Sequence, residues 1–311
     1  MFEKLISLFT GTNRNSRIFQ LLILLAILLI LLTVYKRKYK PTGREGFSQS
    51  DRYILKENAE IYDEFYSHIY DKLMLPKDNA TYIVAKVVEL TEPSTQYSSI
   101  LDVGSGTGHL LSMLTSAGYK AYGIDKSQAM IDRSNNILSN VPVKCKDVLD
   151  PITYDRGAFT HILCVGMTIY ELTDIRQFFQ NTYFWLQGNG YLILQLVDRS
   201  TFDTVIPGGN LGIINGNIQK YAENRVTDTL IDYIDFTYKS SYQFKEDGKT
   251  VVHKETFTDS VSQSIRENER ILLIENPNKI LQTAIQYGFT LKGKVSTDKP
   301  GEYIYILERI A

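Results

Sequence analysis

Residues 99–111, reading Ser-Ile-Leu-Asp-Val-Gly-Ser-Gly-Thr-Gly-His-Leu-Leu, constrain what this chain can fold into more than any other stretch. The apolar pair Ile100 and Leu101 runs to Asp102. Gly104, Gly106 and Gly108 then alternate with other residues, and Leu110, Leu111, Met113 and Leu114 resume a helical spacing. The stretch reads as a strand, a glycine-rich turn and a helix. Glycine is needed there because a Cβ would block either the positive φ angles of the turn or the close approach of a ligand to the main chain. Such a turn holds a nucleotide-like ligand; without one it is only a tight strand-to-helix connection.

Spacing separates the nucleotide readings. A dinucleotide-binding turn, G-x-G-x-x-G, would put its third glycine at position 109, which is His109. A phosphate-binding P-loop fails because no Gly-Lys-Ser/Thr follows. The pattern present, an acidic residue, one residue, then G-x-G-x-G, resembles motif I of the class I S-adenosylmethionine-dependent methyltransferases. Asp102, Gly104, Gly106 and Gly108 match it position by position, with Ser105 inside the turn. The resemblance implies an α/β, Rossmann-like fold with a seven-stranded sheet, S-adenosylmethionine as cofactor and methyl transfer as the reaction.

The chain beyond the turn supplies partners for it. A second strand is expected over 121–125, ending on Asp125, 17 residues beyond Gly108. That separation suits the helix and return strand of a βαβ unit and sets a carboxylate beside the turn to accept ribose hydroxyls. Asp125, Ser127 and Met130 resemble the family's D-x-S-x-x-M, which implies that Ser127 caps a helix and that Lys126 and Met130 lie near the adenosine. A third strand over 141–146 leads to Asp147 and Val148; the resemblance implies that Asp147 bonds the adenine amino group. A fourth over 159–165 leads to Gly166 and Met167, in a segment that flanks the transferred methyl in the family. A turn at Gly188-Asn189-Gly190 and a strand over 191–197 complete five parallel strands. Asp102 with Gly104, Asp125, Asp147, Gly166 and Asp198 therefore mark five strand ends along one sheet edge, where open α/β folds bind ligands.

Upstream, residues 51–75 carry a helical spacing of Ile61, Phe65, Ile69 and Leu73, and a second helix is expected over 80–90. The run from Glu60 to Tyr66 resembles the family's helix that closes over the cofactor, implying Tyr62 and Tyr66 as contacts. Downstream, 199–275 alternates aromatic and polar residues, which predicts a mainly antiparallel insertion before the last helix. In the family such an insertion covers the methyl acceptor. Asn276 caps the last helix with Pro277 at its first position, and Gly288 closes it. A hairpin of 289–295 and 302–307 ends the chain; the resemblance implies that its last strand runs antiparallel to the sheet.

The N-terminus reads differently. From Ile18 to Tyr35 only Gln20 and Thr33 interrupt eighteen apolar positions, which at ~1.5 Å per residue would span about 27 Å. This is a transmembrane-helix candidate, giving an anchor over 1–40, a linker over 41–50 and a methyltransferase domain over 51–311. Five basic residues follow the span within ten positions (Lys36, Arg37, Lys38, Lys40, Arg44) against three before it (Lys4, Arg14, Arg17), so the positive-inside tendency places the large domain in the cytoplasm. The whole chain has a net charge of −1, but seven basic residues and one acidic stand among the first forty, leaving 41–311 at −7. An acidic domain argues against a nucleic-acid partner. Cys145 and Cys164 make neither a disulfide framework nor a metal site and read as small structural residues in a reducing compartment.

Methyl transfer from a sulfonium needs binding, orientation and exclusion of water, with positioning worth roughly 7–11 kcal/mol. A base is needed only for a protonated acceptor, and His253, beside Glu255 on the insertion, and Tyr66 are the candidates. The anchor favours a hydrophobic small molecule, a lipid or a membrane-associated protein as acceptor. The competing reading is a catalytically silent membrane-anchored module that keeps the fold for interaction alone.

Overall fold

The computed structural model describes residues 14–38, 51–74, 76–138, 140–209, 219 and 222–310. The expected linker at 41–50 lies outside them. The chain divides into two units, Met1–Glu45 and Gly46–Ala311. In the first, α1 (Arg14–Lys38) is a 25-residue helix whose side chains are described as far as Leu31. Leu21, Leu22, Leu24, Leu25 and every residue from Ile27 to Leu31 are at least half exposed. Among the described residues no helix is long and apolar enough to cross a membrane. The span expected over 18–35 is therefore not carried by them.

The second unit is built on a seven-stranded sheet in the order β11-β12-β6-β5-β2-β3-β4. Its five parallel strands are β2 (Ser99–Val103), β3 (Lys120–Asp125), β4 (Val143–Cys145), β5 (Phe159–Cys164) and β6 (Leu186–Val197). The closing hairpin, β11 (Phe289–Ser296) and β12 (Glu302–Arg309), pairs antiparallel through β12 with β6. Successive side chains on a strand face opposite sides, and both sides of this sheet are covered. Leu101 and Val103, Ile162 and Cys164, and Leu192, Leu194 and Leu196 pack with Phe178, Phe179, Ile280 and Leu281 on one side. Ile100, Leu163 and Ile193 pack with Ile83, Val87, Leu110 and Leu114 on the other. The helices providing these layers are α3 (Pro76–Thr91), α4 (His109–Ser116), α7 (Ile175–Trp185) and α8 (Pro277–Gln286), with α5 (Gln128–Asn135) and the one-turn α6 (Thr168–Glu171) beside the strand ends. Asn276 caps α8 by accepting from the Asn278 N–H, with Pro277 in the first turn, as expected.

The insertion forms a second sheet, ordered β1-β10-β9-β8-β7, from β7 (Asp228–Asp232), β8 (Phe236–Phe244), β9 (Thr250–Asp259) and β10 (Ile265–Leu273). Helix α2 (Glu64–Met74) lies against it. Tyr66, Ile69 and Leu73 share a buried cluster with Phe236, Tyr238 and Phe257, and Met130 of α5 closes that cluster toward the parallel sheet.

Four local expectations are corrected. Residues 51–75 are not one helix. β1 (Tyr53–Glu57) pairs parallel with β10, and Asn58, at φ 47°, breaks the strand while its Oδ1 accepts from the Ile271 N–H. The long-range edge pairing overrides a local pattern that suits either state. Residues 188–190 are a bulge inside β6 rather than a turn before it, because Leu186 and Tyr191 both pair with β5 and Asn189 takes φ 62°. β4 is shorter than expected, Val143–Cys145. Cys145 is exposed, and only Cys164 is buried.

Candidate active site

The five parallel strands end on one cleft of about 1120 Å³. Asp102, Gly104, Ser105, Gly106, Asp125, Lys126, Met130, Asp147, Val148, Gly166 and Met167 all line it. The backbone explains the glycines. Gly104, Gly106 and Gly108 take φ 69°, 51° and 84°, which side-chain-bearing residues rarely adopt. A Cβ on Gly104 would meet Thr168 Oγ1 at 2.6 Å, and one on Gly108 would meet Ser134 Cβ at 2.9 Å. Those two glycines are required by packing. Gly106 and Gly166 instead look onto open space: among the described residues, chain neighbours aside, only the Gly104 carbonyl oxygen, at 3.9 Å, comes within 4 Å of a Cβ on Gly106, and nothing does for Gly166. A side chain there would fill the cleft itself.

The carboxylates differ in their partners. Asp125 Oδ2 accepts from the Gly106 N–H at 2.9 Å and Oδ1 from the Ser127 N–H at 2.8 Å, so it ties the glycine turn to the start of α5. Burial raises its pKa despite these backbone donors. Asp102 is buried, and its Oδ1 has no hydrogen-bond partner among the described residues, nor has Ser105 Oγ. Burial, reinforced by the charge of Asp125, holds the Asp102 carboxyl well above the usual carboxylate range. Asp147 pairs through Oδ2 with Lys126 Nζ at 2.8 Å and accepts the Leu149 N–H through Oδ1. Ser127 caps α5 through the Met130 N–H and also donates to the Tyr62 carbonyl.

The wall opposite comes from α2, α6 and the insertion. Tyr62 lines the cleft and donates its hydroxyl to Glu171 Oε1 at 2.6 Å. Arg270 of β10 donates to the Tyr62 hydroxyl (2.8 Å) and to Glu171 Oε1 (3.3 Å) through one nitrogen, and to the Tyr66 hydroxyl (2.7 Å) and Glu255 Oε2 (2.8 Å) through the other. Glu255 Oε1 accepts from Tyr66 and Tyr238. Tyr66 is thus fully buried and bound within this network, and the cleft is lined by Tyr70, one turn further along α2. Gly108 also stands outside the lining, as the N-cap of α4.

His253 lines the cleft, stacked on Tyr242 with ring centroids 4.1 Å apart, its Nε2 against Ser240 Oγ. Burial pushes its pKa down to about 3, so at neutral pH it is an uncharged and weakly basic ring. Arg266 bonds Asp63 Oδ2 and the Ile61 carbonyl and stacks over Phe65, which fastens the start of α2. Sequence reasoning passed over Arg270 and did not single out Glu171, in the segment after the fourth strand, or Tyr70, on the helical face of Tyr62 and Tyr66, as site residues. A signal for Arg270 exists: Arg266, Asn268, Arg270 and Leu272 are the inward positions of β10 at the strand period of two, and Glu255 is inward on the neighbouring β9.

Comparison with known proteins gives a consistent fold. Residues 100–190 match the model of a methyltransferase domain. No curated protein matches the chain in sequence. A crystal structure of an S-adenosylmethionine-dependent methyltransferase from Clostridium acetobutylicum is 20% identical, covers 79% of this chain and 98% of its own, with a TM-score of 0.59. The S-adenosylmethionine-bound structure of CalS10, an amino pentose methyltransferase from Micromonospora echinaspora, is 17% identical over 75% of this chain and 91% of its own, with a TM-score of 0.53. The sugar N-methyltransferase KedS8 from a Streptoalloteichus species is 19% identical over 75% and 87%, with a TM-score of 0.52.

Proposed function

We propose that residues 46–311 form an S-adenosylmethionine-dependent methyltransferase acting on a small-molecule acceptor held in the same cleft as the cofactor. The observation that carries this is the cleft itself. Five parallel strand ends converge on it, two glycines present bare backbone to it, and a buried carboxylate oxygen in its wall lacks a partner. A cationic cofactor fits that wall, since it supplies the positive charge that Asp102 and Asp125 lack. When bound, S-adenosylmethionine supplies a methyl group already activated on a positively charged sulfur. Asp125 would accept the ribose hydroxyls, Asp147 the adenine amino group, and the N–H groups of the glycine turn would meet the amino-acid end. The cleft, at about 1120 Å³, exceeds the roughly 300–1,000 Å³ typical of a single ligand pocket. Space therefore remains for an acceptor beneath the second sheet. CalS10 is an amino pentose methyltransferase and KedS8 a sugar N-methyltransferase, which favours a small polar acceptor over a macromolecule. A silent interaction module would have no use for a buried, unpartnered carboxylate in an open cleft.

Isothermal calorimetry with S-adenosylhomocysteine tests the reading. Binding by the wild-type protein, weakened roughly ten- to hundredfold by Asp125→Ala, is the expected result, since hydrogen bonds to a charged group contribute about 1.5–3 kcal/mol. Absence of binding of both S-adenosylmethionine and S-adenosylhomocysteine overturns it.

The N-terminal helix belongs to the same proposal as a membrane anchor with the enzyme on the cytoplasmic side. Its support is the eighteen-residue apolar stretch within the 25-residue α1, flanked by the larger basic cluster on its C-terminal side. Retention in the membrane pellet after alkaline carbonate extraction is expected; release into the supernatant refutes the anchor.

A further inference from the structure

Beyond the strand ends, the cleft continues between α6, α2 and the insertion. Here Tyr62, Tyr70, Glu171, Tyr242 and Arg270 line it. Glu171 is the group on which this part converges. Its Oε1 takes the Tyr62 hydroxyl and Arg270. Both of these contacts fall on Oε1, the Glu171 side chain keeps 25% of its exposure, and the residue lines the cleft. The Glu171 charge is felt by Asp125 at the cofactor end and by Tyr62, Tyr70 and Tyr242 at the other. It therefore stands between the cofactor turn and the space beneath the insertion.

The charges around it discriminate among acceptors. Arg270, which could have held an anionic acceptor, is buried and already shared between Glu255 and Glu171. Asp203 acts on Tyr242, and of the lysines in the lining Lys126 is paired with Asp147 while Lys146 and Lys299 share the cleft with Asp298 and Glu302. His253 is uncharged. What the cleft offers an acceptor is a carboxylate oxygen and the rings of tyrosines, the pair of features that recognises an ammonium group.

Resting on the methyltransferase reading, we propose that the acceptor is a small primary amine and that Glu171 Oε2 binds its ammonium group and removes the proton. The amine nitrogen keeps the electron pair when its proton passes to Glu171. That pair forms the new nitrogen–carbon bond as the methyl carbon's bond to sulfur breaks and its electrons remain on the sulfur. The proton then leaves to water. Tyr62 and Arg270 are positioning residues here. By occupying Oε1 they hold the Glu171 carboxyl group in place and leave Oε2 to the acceptor.

The test uses the full chain saturated with S-adenosylhomocysteine and titrated calorimetrically with matched pairs, D-glucosamine with D-glucose and cyclohexylamine with cyclohexanol. The amine of at least one pair is expected to bind roughly tenfold or more tighter than its alcohol. Glu171→Gln should abolish that preference, and Glu171→Asp should restore part of it. Equal binding of amine and alcohol in both pairs, no binding of any probe, or a preference that survives in Glu171→Gln overturns the proposal. If the wild-type chain fails to take up S-adenosylhomocysteine in the first place, the methyltransferase reading fails instead. Uptake of S-adenosylhomocysteine by Glu171→Gln shows that the variant is folded.

Discussion

The two sheets treat buried charge in opposite ways. At the ends of the parallel sheet, Asp102 and Asp125 are held above the ordinary carboxylate range because burial outweighs what the protein offers them, and Asp102 Oδ1 has no partner among the described residues. On the antiparallel sheet, burial would also raise Glu255, but the Arg270 guanidinium and the Tyr238 hydroxyl more than offset it and hold it below that range. One sheet leaves its carboxylates short of positive charge, and the other completes them internally. A ligand completes the first set; the second is part of the frame. Arg270 joins the two, because one of its nitrogens faces the frame and the other faces the cleft.

The largest effect that would break this comparison is at Glu255. Glu255→Gln removes the buried anion facing Arg270 and should cost about 3–5 kcal/mol, the usual loss when one member of a buried pair is removed. Thermal or urea unfolding measures it. The sign of the pH dependence follows from the lowered pKa: the contribution of Glu255 is present above its unfolded value of 4.5 and is lost as pH falls below it. The variant should therefore lose least, relative to wild type, in acid. A loss under about 1 kcal/mol at neutral pH would place Glu255 outside the frame.

The same contrast explains what was legible in the sequence. The parallel half could be read because its features are local and periodic. Gly104, Gly106 and Gly108 must sit together in one turn, and Asp125 must fall one βαβ unit later. The five parallel strands and the Asn276 cap followed from the same short-range signals, and the antiparallel closing strand from the family resemblance. The antiparallel half resisted because its partners are far apart in the chain: Arg270 meets Tyr62 across 208 residues and Tyr66 across 204. Residues 53–57 became an edge strand only because β10 lay beside them. Tyr66 was placed at the cofactor because its helical face was legible and its depth was not. The adjacent Tyr70, on the same face one turn later, reached the cleft. For α1 the letters alone suggested a span, whereas among the described residues no helix is long and apolar enough to cross a membrane.

The smallest effect sharpens the comparison most, because it should change sign between two assays. Asp102 has a folded pKa above its unfolded value of 3.8. Its contribution to stability is therefore fully present below that value and is lost as pH rises toward the folded pKa. At neutral pH the ligand-free protein holds either a proton or an unpaired charge at Asp102, and both carry a cost. Asp102→Asn removes the ionisation while keeping the shape. It should stabilise the ligand-free protein by roughly 1–3 kcal/mol at neutral pH, which raises the unfolding midpoint by about 2–4 °C per kcal/mol. The gain should shrink as pH falls toward 4. The same substitution should weaken S-adenosylmethionine binding by about tenfold, because the wall loses the charge that a cationic ligand completes. Gain in one assay and loss in the other is what a ligand-directed carboxylate requires. A variant that is both less stable and unchanged in binding would show that Asp102, like Glu255, belongs to the frame.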